Sequence, residues 1–208
     1  MGEANFLAQY LQKPVPTGAG VIDTALFKRY NAPPKYFDYT FLSVDPASGT
    51  DSGSYSAIQK YGVVNGRLYL IWVTRGKWKF PALCDLIILN RTRQKIEHIV
   101  VERAGYGMAV LDELSGRLNM EDRYFNLHGM VPTTSKTHRM EQAMVTVTKN
   151  LVEIPQDAIG MPEFLNELEA FPTGKHDDQV DAFSQAVRFF RRQEDNVLKC
   201  DLTLIPRG

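Results

Sequence analysis

Three carboxylates stand within five residues in the stretch Gly174-Lys175-His176-Asp177-Asp178-Gln179-Val180-Asp181-Ala182. Phe171, Pro172 and Gly174 before it read as a loop. Val180, Phe183, Val187 and Phe190 follow at helical spacing, with Ala186 on their flank, so the acids mark a helix start. At about 100° per residue Asp178 and Asp181 lie within about 60° of each other, away from the apolar stripe. Neighbouring carboxylates repel unless a cation lies between them, and hard oxygen donors at this density suit magnesium or manganese. Taken alone, the stretch also reads as a solvated helix start, with Asp177 or Asp178 as N-cap and the acids favoured by the helix dipole. What separates the two readings is whether other acids converge on it.

Two segments predicted as strands end in a lone carboxylate. Tyr36 to Val44 is rich in aromatic and β-branched residues and runs into Asp45 and a Gly/Ser/Asp turn. Ile96 to Val101 is apolar apart from Glu97 and His98, and it ends at Glu102. In an open sheet, ligands bind beyond strand ends, so two acids at neighbouring ends share one cleft. With the helix start added, the candidate site is Asp45, Glu102, Asp178 and Asp181, with Asp177 and Asp51 close by. Buried like charges cost several kcal/mol each. Two Mg²⁺ or Mn²⁺ ions about 4 Å apart would neutralise the cluster and form the clamp used when water attacks a phosphodiester in line. Each strand-end acid has an ordinary alternative, Asp45 in an Asx-turn and Glu102 at a surface strand end.

The elements that must position these acids follow in order. Strands over Tyr55–Val64 and Arg67–Thr74 flank Asn65-Gly66, a type I′ hairpin signal because both central residues need positive φ. Helices are expected over Phe80–Thr92, through Val110, Leu111 and Leu114, from about Thr133–Arg139 to Asn150, and over Met161–Ala170. Tyr124–Met130 reads as a further strand and Leu151–Pro155 as a short extended piece. The fold class is thus α/β, a mixed sheet of three antiparallel strands and then parallel ones, flanked by helices. Residues 1–36, with breakers at 13–20 and 31–34 and short helices expected over Phe6–Leu11 and Asp23–Tyr30, read as an arm or linker. The domain spans 37–193, and 194–208 is a tail without periodicity.

Composition bounds the rest. In 208 residues, 24 Lys and Arg balance 24 Asp and Glu, so a polyanion must be held by local patches. Lys136 and Arg139 are one such patch, since cations at a helix start oppose its dipole and call for an outside reason such as a phosphate. Arg75, Lys77 and Lys79 around Trp78 are a second candidate DNA grip. Arg188, Arg191 and Arg192 are read as placed near a helix C-terminus, where the dipole accounts for them. His176 suits an outer role beside the acids, while His98 and His128 are strand residues with no evident partner. Cys84 and Cys200 lack motif spacing, no apolar run approaches a membrane span, and a soluble intracellular protein is expected.

These residues resemble a family. Ser43-Val44-Asp45-Pro46-Ala47 with Ser54-Tyr55-Ser56-Ala57-Ile58, then Val100-Val101-Glu102, then Lys175 to Ala182, are similar in order to the three motifs of the nuclease domain of large terminase subunits of tailed bacteriophages. Gln9-Tyr10-Leu11-Gln12 with Pro14 resembles the segment linking that nuclease to its motor domain. The resemblance implies a ribonuclease H-like fold and a divalent-metal-dependent endodeoxyribonuclease that cuts concatemeric viral DNA during packaging. It puts metal roles on Asp45, Glu102 and the Asp177–Asp181 cluster, with Asp178 and Asp181 first by analogy with related resolvases, Asp177 next and Asp51 outermost. Implied partners are double-stranded DNA, the motor domain, the small terminase subunit and the portal, in the cytoplasm of an infected bacterium. No Walker A string occurs, so the nuclease portion alone is expected, without ATPase activity. Other readings are a junction resolvase or transposase-type nuclease of the same fold, and a non-catalytic module docking on DNA or the portal.

Overall fold

The computed structural model describes residues 22–47, 54–118 and 126–203. Its strands are β1 (Lys28–Tyr30), β2 (Tyr39–Asp45), β3 (Ser56–Val64), β4 (Arg67–Gly76), β5 (His98–Glu102), β6 (Asn126–Met130) and β7 (Val152–Pro155). Its helices are α1 (Phe80–Gln94), α2 (Tyr106–Leu118), α3 (Lys136–Thr148), α4 (Met161–Ala170) and α5 (Asp178–Thr203). The strands form one mixed sheet in the order β1-β7-β4-β3-β2-β5-β6. The β2–β3–β4 meander is antiparallel, and the β2–β5, β5–β6, β4–β7 and β1–β7 pairs are parallel. The hairpin between β3 and β4 turns at Asn65 (φ 52°) and Gly66 (φ 66°), both left-handed as a type I′ turn requires.

The pleat decides what each strand end presents. Successive side chains point to opposite faces, so Leu42 and Val44 of β2 join Ile99 and Val101 of β5 in the core beneath α1 and α2. Phe41 and Val100 face the other way, into the larger core built with α3, α4 and α5. Ser43 shares that second face and donates its hydroxyl to the Ala182 carbonyl of α5 at 2.7 Å. By the same alternation Asp45 and Glu102, the last residues of β2 and β5, fall on the face that α5 covers.

Two boundaries differ from the sequence reading. Asp23–Tyr30 is a short 3₁₀ turn (Thr24–Leu26) followed by β1, rather than a helix. Part of the expected arm therefore belongs to the packed fold. Ile22 and Phe27 are buried in the larger core, and the Phe27 ring meets Phe183 of α5 edge-on at 5.6 Å. At the other end α5 continues unbroken to Thr203, well past Glu194. Among the described residues no helix is long and apolar enough to cross a membrane.

Candidate metal centre

β2 and β5 are parallel neighbours with Val44 opposite Val101, which sets Asp45 beside Glu102 at the C-terminal ends of two interior strands. The first two turns of α5 lie over these strand ends, and a set of buried polar contacts fixes where those turns sit. The Gln185 side-chain amide lies 3.0 Å from Ser43 Oγ, 3.1 Å from the Val44 carbonyl and 3.2 Å from the Val100 carbonyl, so one residue grips both acid-bearing strands just before their ends. Gln59 donates to the Gln179 carbonyl at 2.9 Å and accepts from Tyr61 at 2.6 Å. Glu167, reaching over from α4, accepts from the Gln179 backbone N–H at 2.6 Å and from its side-chain amide at 2.8 Å. A free amide of the helix start is thus capped by a carboxylate from another helix.

These constraints bring Asp178 and Asp181 to the ends of β2 and β5. Burial first, and then the charges of Asp181, Glu102 and Asp178, raise the Asp45 carboxyl well above the usual carboxylate range, with Lys136 offsetting part of the effect. Glu102 is raised by burial and by Asp181, against Arg139. Asp178 is raised chiefly by burial, and its Oδ2 lies 3.4 Å from the Tyr55 backbone N–H that donates to it. Lys136 and Arg139, expected as DNA contacts, lie across this cluster. The Lys136 ammonium bridges Asp177 at 2.7 Å and Asp181 at 2.6 Å. Arg139 donates to Asp181 at 2.7 Å and approaches Glu102 at 3.6 Å. Burial works against the Lys136 ammonium, yet its hydrogen bonds to Asp177 and Asp181 raise its pKa.

The donor set is all hard oxygen, which fits a divalent cation such as Mg²⁺ or Mn²⁺. As the side chains lie, no group of three among the described residues is closed around one point in a way that could hold an ion. The ammonium of Lys136 and the guanidinium of Arg139 bring positive charge to the acids and tie Asp177 and Asp181 to α3.

Three other expected site residues gather around Tyr55. His176 Nδ1 is 4.0 Å from Asp178, and its ring meets Tyr55 edge-on at 5.1 Å. The cations of Arg75 and Lys77 lie over the same Tyr55 ring, at 4.9 and 5.3 Å from its centroid. Arg75 also pairs with buried Glu167 at 2.8 Å. Lys79 is the N-cap residue of α1 and makes no side-chain capping bond there. Asp51 lies outside the described residues. His98 and His128 do find a partner, in each other, with ring nitrogens 3.1 Å apart.

The positioning residues Glu167, Gln59, Gln179 and Gln185 were missed by sequence reasoning. Gln185 carried a signal, since it lies seven residues after Asp178, on the same helix face, within the apolar stretch Ala182-Phe183 and Ala186-Val187. Gly107 was also passed over. A β-carbon there would overlap the Glu102 carbonyl oxygen, so the first turn of α2 can approach the end of β5 only because residue 107 is glycine. Gly107→Ala is expected to push Glu102 out of register, costing about 1–3 kcal/mol of stability. A roughly tenfold weaker Mn²⁺ affinity should accompany it, read by calorimetric titration beside a thermal melt. An unchanged affinity would show that the two elements need not meet so closely.

A mixed sheet with carboxylates at two adjacent parallel strand ends and at the start of a covering helix defines a ribonuclease H-like domain. The model of the terminase RNaseH-like domain matches residues 42–188, and the chain belongs to that family. None of the curated protein sequences matches it. Among solved structures, it is similar to the large terminase nuclease of the thermophilic phage G20c with bound cobalt (TM-score 0.59, 16% identity, covering 83% of this chain and 98% of that one). The same G20c nuclease is also known with bound magnesium and with bound zinc. The large terminase of a second thermophilic bacteriophage, in complex with ADP, aligns at TM-score 0.62 and 12% identity over 82% of this chain but 44% of that one. The human cytomegalovirus terminase nuclease domain, manganese-soaked and inhibitor-bound, aligns at TM-score 0.56 and 10% identity over 78% and 89%.

Proposed function

We propose that this chain is a divalent-metal-dependent endodeoxyribonuclease that cuts concatemeric viral DNA during genome packaging. The observation that carries the reading is that Asp45 and Glu102 end the parallel neighbours β2 and β5, with Asp45 within reach of the charges of Asp178 and Asp181 on the first turns of α5. Membership of the terminase RNaseH-like family supports the substrate, and the metals in the G20c and cytomegalovirus nuclease structures support the cofactor class.

Asp45, Glu102, Asp178 and Asp181 would hold two Mg²⁺ or Mn²⁺ ions, with Asp177 as the next donor. Such ions, when bound, lower the pKa of water to make the nucleophile and stabilise the leaving 3′ oxygen, giving 5′-phosphate and 3′-hydroxyl ends. The chain's own part is to fix the acids and to balance charge. Gln185 and Gln179 orient the helix start, and Lys136 and Arg139 offer donors to the incoming phosphate while limiting repulsion among the acids. His176 would hold a water or a proton at Nδ1 beside Asp178. Binding through phosphates implies steep salt dependence and little base preference. The ADP-bound large terminase, of which this chain spans under half, supports a motor domain as partner. The small terminase subunit and the portal in the host cytoplasm would complete the assembly.

The test is nicking of supercoiled plasmid. Cleavage is expected with Mn²⁺ and none with EDTA, and Asp178→Ala should lower the rate by at least about a hundredfold, since a metal ligand supplies several kcal/mol. Unaltered nicking by Asp178→Ala would sink the site assignment, and a four-way junction cleaved far faster than linear duplex would move the reading to a resolvase.

A further inference from the structure

Next to the acidic cluster, α3 and α5 enclose a groove of about 340 Å³ lined by Arg139, Gln142, Ser184, Val187, Arg188 and Arg191. Among the described residues its lining carries three guanidinium groups and no carboxylate. The groove shares Arg139 with the acid site, because that side chain also contacts Asp181 and Glu102. The two sites are continuous along one helix face. At 100° per residue, Asp181, Ser184, Arg188 and Arg191 fall within an arc of about 80° on α5, with acids at one end and arginines at the other.

The arginines need a reason. The helix dipole does not supply one, because α5 runs to Thr203, twelve residues beyond Arg191, and the dipole acts only over the last turn. Nor do internal ion pairs. Arg188 donates to the Val131 carbonyl at 2.7 Å and Arg191 to Thr146 Oγ1 at 3.4 Å, and among the described residues neither is within ion-pair distance of a carboxylate, although the Arg188 charge reaches Glu102 and works to lower its pKa. A guanidinium has five donors, so most of theirs remain for an outside acceptor, and a planar fork matches phosphate oxygens two at a time. Along α5, Arg188 lies about 10 Å and Arg191 about 15 Å from Asp181 at 1.5 Å rise per residue. Both distances are within half a turn of duplex, whose full turn is about 34–36 Å.

We infer that this groove seats the sugar–phosphate backbone of the DNA on one side of the bond to be cut, with Arg188 and Arg191 as phosphate ligands. The inference rests on the nuclease reading and adds the direction in which the substrate leaves the acids, along α5 toward its C-terminal half. A free anion such as inorganic phosphate would satisfy the same donors, so the test separates the two sources.

Binding of a fluorescein-labelled 30-base-pair duplex in EDTA, followed by anisotropy across a salt series, reads the groove without cleavage. Arg188→Gln with Arg191→Gln is expected to raise Kd about tenfold at 0.1 M salt and to flatten the log–log salt slope by about 2, one unit for each lost phosphate contact. Arg188→Lys with Arg191→Lys should keep the slope, and Arg93→Ala, on α1 across the sheet, should change neither quantity. A duplex with neutral methylphosphonates within half a turn on one side of a fixed nick should bind the wild type no better than the glutamine variant binds the natural duplex. A thermal melt of each variant reports folding. If the wild type binds duplex and the folded glutamine variant binds it with the same affinity and slope, the groove assignment fails while the nuclease reading stands. The same result accompanied by phosphate-dependent stabilisation of the wild type alone would assign the groove to a free anion and overturn the DNA inference. A wild type that binds no duplex at all would overturn the nuclease reading itself.

Discussion

Asp45→Asn is expected to lower plasmid nicking by about a thousandfold and, in EDTA, to raise the melting temperature above that of the wild type. The two effects have one origin. Asp45 ends β2 among Asp181, Glu102 and Asp178, and burial together with those three charges raises its carboxyl well above the usual range. A group whose folded pKa is raised gives stability that is fully present below its unfolded value and is lost as pH rises through the folded value. At any pH above its unfolded value, then, burying Asp45 costs the metal-free protein stability, and asparagine, which does not titrate, removes that cost while keeping the shape. A gain of about 1 kcal/mol would move the melt by about 2–4 °C in a domain of this size. The same substitution removes a donor that would hold the cation, and several kcal/mol of transition-state stabilisation corresponds to roughly three powers of ten in rate. Mn²⁺ should therefore stabilise the wild type and leave the variant where it was. Scanning calorimetry in EDTA and in Mn²⁺ reads both halves. A variant that melts lower in EDTA would mean that Asp45 is held by favourable contacts, as a structural carboxylate is.

How much of this could be read from the chain follows from which contacts are local. Asp45 and Glu102 were legible because each closes an apolar strand, and the pleat carries a strand's alternation to its last residue. Asn65-Gly66 was legible because the turn itself demands left-handed backbone. β1 was not, because its three residues pair only with the four-residue β7, more than 120 positions away, and a strand that short leaves no period. The far half of α5 escaped for a related reason. From Glu194 on the sequence carries no apolar stripe, so periodicity gave no sign that the helix continues. That misplaced its C-terminus and gave Arg188 and Arg191 a dipole explanation that the longer helix removes. In sequence, Lys136 and Arg139 read as cations calling for an outside partner such as a phosphate. Their first partners turned out to be the acids across the cleft, which only the approach of α3 to α5 reveals.

Arg75 separates local from tertiary reasoning most sharply. As part of a basic loop around Trp78 it reads as a DNA grip, in which case Arg75→Ala would leave the melt unchanged and flatten the salt slope of DNA binding by about 1. The fold gives its guanidinium another task, pairing at 2.8 Å with Glu167, whose side chain is 3% exposed. Glu167 in turn accepts both the backbone and side-chain N–H groups of Gln179, between the two acids Asp178 and Asp181. Removing the cation leaves a buried carboxylate without its counter-charge, a change that costs about 3–5 kcal/mol. Arg75→Ala is therefore expected to lower the melting temperature by roughly 6–20 °C, at about 2–4 °C per kcal/mol, with the salt slope unaltered. Adding Glu167→Gln should recover much of the loss, because the amide oxygen still accepts from Gln179 and no charge is left stranded. Cleavage by Arg75→Ala at a temperature where it remains folded should fall more than DNA binding does, since the helix start that carries Asp178 and Asp181 loses its outside support. A normal melt combined with a flattened salt slope would return Arg75 to the DNA surface and leave Glu167 to hold α5 alone.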